Sequence, residues 1–145
     1  MDEIWKPVAS RPGVSASSLG RILFPCKEAA MPHGGVRRYV TKPVYGTTQR
    51  SKKGAKHEYK GVYNRSYGNM KVHRLVCEAF HGPAPDQRSV VIHIDENALN
   101  NRPENLRWGT QKENLNMPKF LAWCRSDERA ALIKEGKRKA RDASA

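Results

Sequence analysis

The sequence contains few cysteines and no long apolar segment. Its three cysteines, Cys26, Cys77 and Cys124, lie far apart and form no CxxC pair, which argues against a disulfide framework and against a structural zinc site. The longest apolar runs, near 75–80 and 90–94, are far shorter than the ~20 residues that span a membrane. The start MDEIWKP lacks the basic and apolar regions of a signal peptide. We therefore expect a protein without a membrane segment that resides in the cytoplasm.

Acidic residues are scarce in the first half of the chain. The 145 residues, about the length of one domain, include 27 Lys and Arg against 14 Asp and Glu, a formal net charge of +13. Residues 11–74 contain fourteen basic side chains and two acidic ones, Glu28 and Glu58, so 14 − 2 gives a local charge of +12. Such an excess favours a polyanionic partner, most often nucleic acid, although a solvated basic face is the plainer alternative.

Short β-rich stretches separated by turn residues predict strands in the first half. We expect strands at 5–8, 17–23, 36–44 and 59–63, with Gly, Pro or Ser at their borders. The basic, Gly- and Ser-containing segment 47–56 is expected to be a mobile loop.

Helical patterns predominate after residue 71, so the fold class predicted for the chain is α+β. Apolar residues at three- and four-residue spacing predict a helix over 72–80, followed by a strand over 89–94 and one helical turn over 103–106. Thr110 and Glu113 have the spacing of a capping box, which starts a helix at Gln111. A short helix over 120–124 and a helix after Ser126 come next, and we expect the chain beyond Gly136 to be frayed.

The most informative stretch contains a helix, a strand with His93, an amide-rich loop and a helix with Asn114. Phosphodiester cleavage needs a base that is neutral near pH 7 and a cation that offsets charge on the phosphate. Imidazole suits the first task because its unperturbed pKa is ~6.5. Amide and carboxylate oxygens suit Mg²⁺ or Mn²⁺. The segment therefore contains the parts of a phosphodiester-cleaving site.

The same stretch resembles a known family. VHRLVCEAF followed by VIHIDENALNNRPENLRWGTQKEN is similar to the HNH endonucleases of the ββα-metal fold, and most closely to the phage and intron-encoded homing branch. EIWKPV with VSASSLGRI resembles the small module that often precedes the HNH core in those proteins. The resemblance implies a basic β-rich DNA-binding module at 1–71, an HNH nuclease core at 72–117 and a helical basic tail at 118–145.

The resemblance also implies roles for single residues. His93 is the expected general base, and Asn105 is the amide that pins the loop and helps to set the histidine ring. Asn114 is the expected ligand of one divalent metal per site, Mg²⁺ or Mn²⁺. His73 matches a frequent family residue that is structural or contacts phosphate rather than catalytic.

One position departs from the family pattern. Well-understood members commonly have Asp, Asn or His before the catalytic histidine, where it ligates the metal, whereas this chain has Ile92. We hypothesise that Asp95 ligates the metal or orients the site instead. The alternative is that Asp95 caps its own turn. Asn100 and Asn101 are expected to stabilise the loop.

Basic side chains of the first half are expected to contact double-stranded DNA through its phosphates, and the strands that flank 47–56 are expected to enter the major groove. The candidates are Arg37, Arg38, Lys42, Arg50, Lys52, Lys53, Lys56, Lys60, Arg65 and Arg74, with Lys137, Arg138 and Lys139 as a tail clamp.

The leading hypothesis is a metal-dependent DNA endonuclease or nickase, encoded by a phage or prophage and acting in a bacterial cytoplasm as a monomer or homodimer. It needs no small-molecule cofactor. The alternative is a DNA-binding protein that keeps the HNH fold but cleaves weakly because of Ile92. An RNA-binding protein of the translation apparatus also fits the charge, but it leaves His93, Asn105 and Asn114 unexplained.

Overall fold

A computed structural model describes residues 2–53, 55 and 57–144 of the chain. These residues form short antiparallel sheets and helices, so the predicted α+β class is confirmed. The first of two compact units ends at Gly109 and the second begins at Thr110. Among the described residues, no helix has the length and apolar character needed to cross a bilayer.

The first unit begins with a three-stranded sheet in the order β1-β2-β3. Its strands are β1 (Trp5–Pro7), β2 (Ser15–Ser17) and β3 (Ile22–Leu23). The turn between β2 and β3 is anchored by Ser17, whose side chain is fully buried and accepts hydrogen bonds from the backbone N–H groups of Leu19 (3.2 Å) and Arg21 (2.9 Å). Ile22 also pairs with Val44 as an isolated bridge.

An exposed hairpin follows. Strands β4 (Lys27–Ala30) and β5 (Val36–Tyr39) pair antiparallel, and every residue of both strands is exposed. The sequence predicted a strand near β5 but none at β4, because KEAA lacks β-branched and aromatic residues. A two-stranded ribbon without a buried face is at best marginally stable by itself in water.

The next sheet corrects one expectation. Strands β6 (Thr47–Arg50), β7 (Glu58–Asn64) and β8 (Gly68–Lys71) form an antiparallel sheet in that order. The first four residues of the expected loop 47–56 are therefore strand, since Thr47–Arg50 pairs with β7 along its whole length. Lys56 lies outside the described residues.

Helix α1 (Val72–His81) confirms the predicted helix and carries the core of the first unit. Its side chains Val72, Leu75, Val76 and Cys77 are buried. They belong to one apolar cluster with Val8, Val14, Ala16 and Ile22 of the N-terminal region, Val62 and Met70 of the β7–β8 hairpin, and Leu106. The N-terminal region and the segment after residue 71 thus share a single hydrophobic core.

A hairpin after α1 carries the histidine of interest. Strands β9 (Val90–His93) and β10 (Leu106–Gly109) pair antiparallel, and a 3₁₀ turn at Pro103–Asn105 leads into β10. The end of α1 is fixed to this region, because His81 Nε2 lies 2.7 Å from the Pro103 carbonyl oxygen and Trp108 Nε1 donates to the Gly82 carbonyl oxygen at 2.9 Å.

The second unit consists of helices α2 (Gln111–Leu115), α3 (Pro118–Cys124) and α4 (Asp127–Ala143). Both hydrogen bonds of the predicted capping box between Thr110 and Glu113 are present, and the Ser126 hydroxyl caps α4 by accepting from the backbone N–H of Arg129 at 3.3 Å. The expected fraying beyond Gly136 is wrong, since α4 continues to Ala143. Strong helix formers such as Lys, Arg and Ala outweigh one glycine there.

Candidate active site around His93

His93 is the last residue of β9 and lies opposite Leu106 of β10. The chain then turns at once, because the His93 carbonyl oxygen accepts a hydrogen bond from the backbone N–H of Glu96 at 2.9 Å. Glu96 has φ 57, a left-handed conformation that non-glycine residues seldom adopt. The strand therefore stops at His93 and an irregular loop begins beside it.

The loop from residue 94 to residue 105 is held from within by Asn105. The side chain of Asn105, only 8% exposed, donates to Asp95 Oδ1 (2.8 Å) and to the Asn100 carbonyl oxygen (3.0 Å), while its Oδ1 accepts from the Asp95 backbone N–H (2.9 Å). Its backbone oxygen also accepts from the N–H of Ile94 at 2.8 Å. Asn105 thus has the loop-pinning contacts that the sequence predicted, and its part in catalysis stays a prediction.

The carboxylate of Asp95 completes the same network. Its Oδ1 accepts from the Asn97 backbone N–H at 2.8 Å, and its Oδ2 accepts from the Asn100 side chain at 2.8 Å. The Asn100 hydrogen bond, followed by the Asn97 hydrogen bond, lowers the pKa of Asp95 to about 2. These contacts are those of a turn-capping carboxylate, the alternative weighed for this residue. Metal ligation by Asp95 stays a prediction.

The histidine ring is held by a residue whose role sequence reasoning missed. Asn101 is 5% exposed, and its Oδ1 lies 3.1 Å from His93 Nε2. Because a carboxamide oxygen only accepts, Nε2 carries the proton and donates, and Nδ1 of the neutral ring keeps its lone pair. Asn101 therefore selects the tautomer as well as the orientation of His93. A run of Asn residues in a loop gave no signal for which of them would contact the histidine.

A second imidazole packs against the first. The ring centroids of His73 and His93 are 5.3 Å apart with an interplanar angle of 73°. Burial, followed by the nearby His93, lowers the pKa of His73 to about 3, and no described atom hydrogen-bonds to its buried Nδ1. His73 from α1 is thus a neutral ring packed against His93, and the expectation that it is structural or contacts phosphate stays a prediction.

His93 itself is neutral at physiological pH. Burial lowers the pKa of His93, although the Asn101 hydrogen bond and the charge of Asp95 act in the opposite direction. A neutral imidazole with a defined lone pair can take a proton from water. A general base requires this neutral form, and the role of His93 as that base stays a prediction.

Ile92 faces the protein interior. It is 0% exposed, whereas Ile94, the first residue after the strand, is 54% exposed. Since successive strand residues point to opposite faces, the Ile92 side chain lies on the face opposite to that of His93. An apolar, fully buried side chain supplies no ligand for a metal.

The described residues contain no cluster of three or more His, Cys, Asp or Glu side chains that could hold a metal ion. In the hydrogen-bond network beside His93, the side-chain oxygens that could ligate a cation belong to Asp95, Asn100, Asn101 and Asn105. Mg²⁺ commonly binds through one or two protein ligands and completes its shell with water and substrate phosphate. The described residues thus fit a cation with few protein ligands and do not form a cluster of three or more His, Cys, Asp or Glu ligands.

Asn114, the predicted metal ligand, lies on α2 in the second unit, and His93, Asp95 and Asn105 lie in the first. The capping box at Thr110 fixes the start of α2 and so the helix that carries Asn114. Its role in metal binding stays a prediction.

Several of the predicted phosphate-binding residues contact a neighbouring side chain. Arg38 pairs with Glu28 at 2.7 Å across the β4–β5 ribbon, and Arg50 pairs with Glu58 at 2.7 Å across β6 and β7. Arg37 stacks on its ribbon neighbour Tyr39, and Arg74 stacks on Trp108. Exposed pairs of this kind contribute little to stability, so phosphates can compete for the same guanidinium groups.

The remaining candidates lie on the loops and on β7. Lys60 of β7 donates to Thr48 Oγ1 at 2.9 Å. The other described candidates, all exposed, are Lys42, Lys52, Lys53 and Arg65, and Lys56 lies outside the described residues.

Comparison with known proteins bears on the segment that contains His93. Residues 70–116 match the family model described as HNH endonuclease. A protein of Acanthamoeba polyphaga mimivirus, named Uncharacterized HNH endonuclease L247, is 46% identical over 46 residues, which is 31% of this chain and 12% of that protein. This chain therefore spans only a small part of the length of that viral relative.

The fold as a whole also has a solved neighbour. The structure described as "DNA binding and cleavage by the HNH homing endonuclease I-HmuI" has 26% sequence identity and a TM-score of 0.54, and the alignment covers 93% of this chain and 68% of that one. The resemblance to HNH homing endonucleases inferred from the sequence is thereby confirmed.

The Asp95 network predicts a specific dependence of stability on pH. Because the folded-state pKa is lowered, the carboxylate stabilises the fold above its unfolded pKa of ~3.9, and the stabilisation is lost as pH falls from there towards about 2. Asp95→Asn should lower the free energy of unfolding by ~1 kcal/mol at neutral pH. At a pH below about 2, where the Asp95 carboxyl group is protonated in the folded and unfolded states, the substitution should leave the free energy of unfolding unchanged. Urea unfolding in EDTA across pH measures it, with Asp142→Asn, an exposed site on α4, as control. A difference that persists unchanged to the lowest pH would contradict this role.

Because Ile92 is buried, we expect an acidic residue at position 92 to destabilise the fold. Ile92→Asp should lower the free energy of unfolding by ~3 kcal/mol or more, because it buries an unpaired charge. The matched control Ile94→Asp, at an exposed position, should cost far less. Thermal unfolding with and without Mn²⁺ checks both variants. A large Mn²⁺-induced rise in the midpoint of Ile92→Asp alone would contradict the inward orientation and put position 92 at a metal site.

Proposed function

We propose that this chain, which contains an HNH endonuclease domain, is a metal-dependent DNA endonuclease in which His93 is the general base. The supporting observation is the 3.1 Å contact between Asn101 Oδ1 and His93 Nε2, which leaves Nδ1 as the basic nitrogen. Burial keeps the ring neutral and so ready to accept a proton. His93 would take the proton from the water that attacks the phosphodiester.

Asn105 would affect the reaction indirectly, through the position of His93. By closing the loop on Asp95 and Asn100 it fixes the backbone that leads from His93 to Asn101. Its amide groups are used within the loop, so its proposed role is to position the base.

The proposed cofactor is one Mg²⁺ or Mn²⁺ ion, with Asn114 and Asp95 as its predicted protein ligands. When bound, a divalent cation next to the phosphate would offset negative charge that develops during cleavage. Asp95 is ionised at neutral pH, because its hydrogen bonds lower its pKa to about 2.

The proposed substrate is double-stranded DNA. The β4–β5 ribbon is exposed on both strands and carries Arg37 and Arg38, and a two-stranded ribbon of this size fits the major groove. Sequence reasoning assigned groove entry to the strands around 47–56, and the ribbon adds a second element of the same kind. The solved neighbour I-HmuI is described by DNA binding and cleavage.

One site cuts one strand. A monomer would therefore nick its substrate, and a double-strand break would require a homodimer or two successive events. We also propose that the protein is encoded by a phage or prophage and acts in the cytoplasm of a bacterial cell.

The second candidate is a DNA-binding protein of the same fold with weak cleavage. The observation that favours it is Ile92, which is fully buried at the position where well-understood HNH enzymes have a metal ligand. The two candidate functions predict different cleavage rates but the same affinity for DNA.

The first test is plasmid nicking. With Mg²⁺ or Mn²⁺ the wild type should convert supercoiled plasmid to the open-circular form, and His93→Ala should lower the rate by ~100-fold or more, because it removes the general base. Asp2→Ala, at an exposed position that has no proposed role in DNA binding or cleavage, is the control and should cleave like the wild type. Equal rates for wild type and His93→Ala would remove His93 from its role. Duplex binding without cleavage in any divalent metal would support the second candidate.

The second test is the salt dependence of duplex binding. If six basic side chains contact phosphates, log K should fall with log salt with a slope of about −5, from ~0.9 per contact. The double variant Arg37→Gln, Lys42→Gln should reduce the magnitude of the slope by ~2. Lys6→Gln is the control, because the Lys6 ammonium packs over the Phe80 ring, and it should leave the slope unchanged. A wild-type slope near −1 would contradict binding through this surface.

A further inference from the structure

The turn between β2 and β3 touches the loop that holds His93. Ser17 fixes this turn, because its backbone N–H donates to the Arg21 carbonyl oxygen at 2.9 Å and its own carbonyl oxygen accepts from the Gly20 N–H at 3.0 Å. These hydrogen bonds therefore restrain the conformation of the turn at its tip. Gly20 stands at that tip, next to Asn101.

The contact requires glycine at position 20. Gly20 has φ +80, and a Cβ added there would lie 2.9 Å from the Asn101 carbonyl oxygen, 3.1 Å from its carbonyl carbon and 3.2 Å from its Cβ. The nearest atom belongs to the backbone, which cannot swing aside as the end of a long side chain can. Any larger residue at position 20 must therefore displace Asn101.

Asn101 in turn determines how His93 is held. Its side-chain oxygen contacts His93 Nε2 at 3.1 Å, and with 5% exposure the residue has little room to adjust. A shift of Asn101 would weaken that hydrogen bond and release both the orientation and the tautomer of the ring. The path from Gly20 to the histidine thus consists of one van der Waals contact and one hydrogen bond.

We infer that Gly20 is a positioning residue for His93, through which the N-terminal region supports the candidate base. The inference rests on the proposed function only in giving His93 a catalytic role, since the contacts themselves exist whatever the activity. The N-terminal region and the segment after residue 71 share one apolar core, which includes Ala16 and Ile22 on either side of the turn and Leu106 next to the loop.

The chain provides a matched control for backbone strain. Gly68 has φ +72, close to that of Gly20, but a Cβ added there would meet nothing within 4 Å. Gly20→Ala and Gly68→Ala therefore impose similar strain on the backbone, and only the first pushes on Asn101. If Gly20→Ala does not fold, Gly20→Asn and Gly68→Asn replace the pair, because Asn tolerates the left-handed region and still carries a Cβ.

The experiment measures which nitrogen of the His93 imidazole carries the proton. ¹⁵N NMR of the histidine side chains, at a pH well above the ordinary value of ~6.5, should show His93 with its proton on Nε2 in the wild type and in Gly68→Ala. In Gly20→Ala the His93 signals should move towards a mixture of tautomers. Plasmid cleavage should fall by ~10- to 100-fold in kcat with little change in KM, and Gly20→Ala should add nothing to the loss caused by Asn101→Ala.

The possible outcomes separate this inference from the proposed function. Wild-type His93 signals in folded Gly20→Ala, or equal changes in Gly20→Ala and Gly68→Ala, would overturn the positioning role. Additive losses for Gly20→Ala and Asn101→Ala would overturn it as well. A wild type that never cleaves, with the tautomer still altered by Gly20→Ala, would overturn the nuclease proposal and leave the positioning role in place.

Discussion

The candidate site depends on one buried carboxamide. Asn105 uses both of its N–H groups and its oxygen inside the loop that joins the two strands of the hairpin, and the loop contains no regular structure apart from the turn that ends at Asn105. A buried amide without partners costs ~1–3 kcal/mol, so the loop has one arrangement that satisfies this side chain. The backbone on both sides of His93 and Asn101 is fixed as a consequence.

The histidine is supported from three directions that lie far apart in sequence. The hairpin supplies the strand that ends at His93, α1 supplies the His73 ring beside it, and the N-terminal turn supplies Gly20 behind Asn101. All three elements belong to the apolar core of the first unit or adjoin it. A side chain held in this way needs little reorganisation, which is the property that the proposed role of His93 requires.

Features with a local cause were predictable from the sequence. The spacing of Val72, Leu75 and Val76 gave α1, and Thr110 with Glu113 gave the start of α2, because helix periodicity and capping involve only near neighbours. The strand β4 was missed because its residues have little β preference, and it forms only through pairing with β5. In the site, the Gly20–Asn101 contact was out of reach because it depends on how distant segments meet. The Asn101–His93 hydrogen bond was out of reach because it depends on the irregular path of the loop between the two residues.

The inward-facing Ile92 also limits where the metal ligands of this protein can lie. An isoleucine in a fully buried position strengthens the packing of the strand that carries it. A carboxylate at the same position would lose that packing and would bury a charge without a partner. Stable packing of this strand and a metal ligand at position 92 therefore exclude each other, so any cation must be held by other residues.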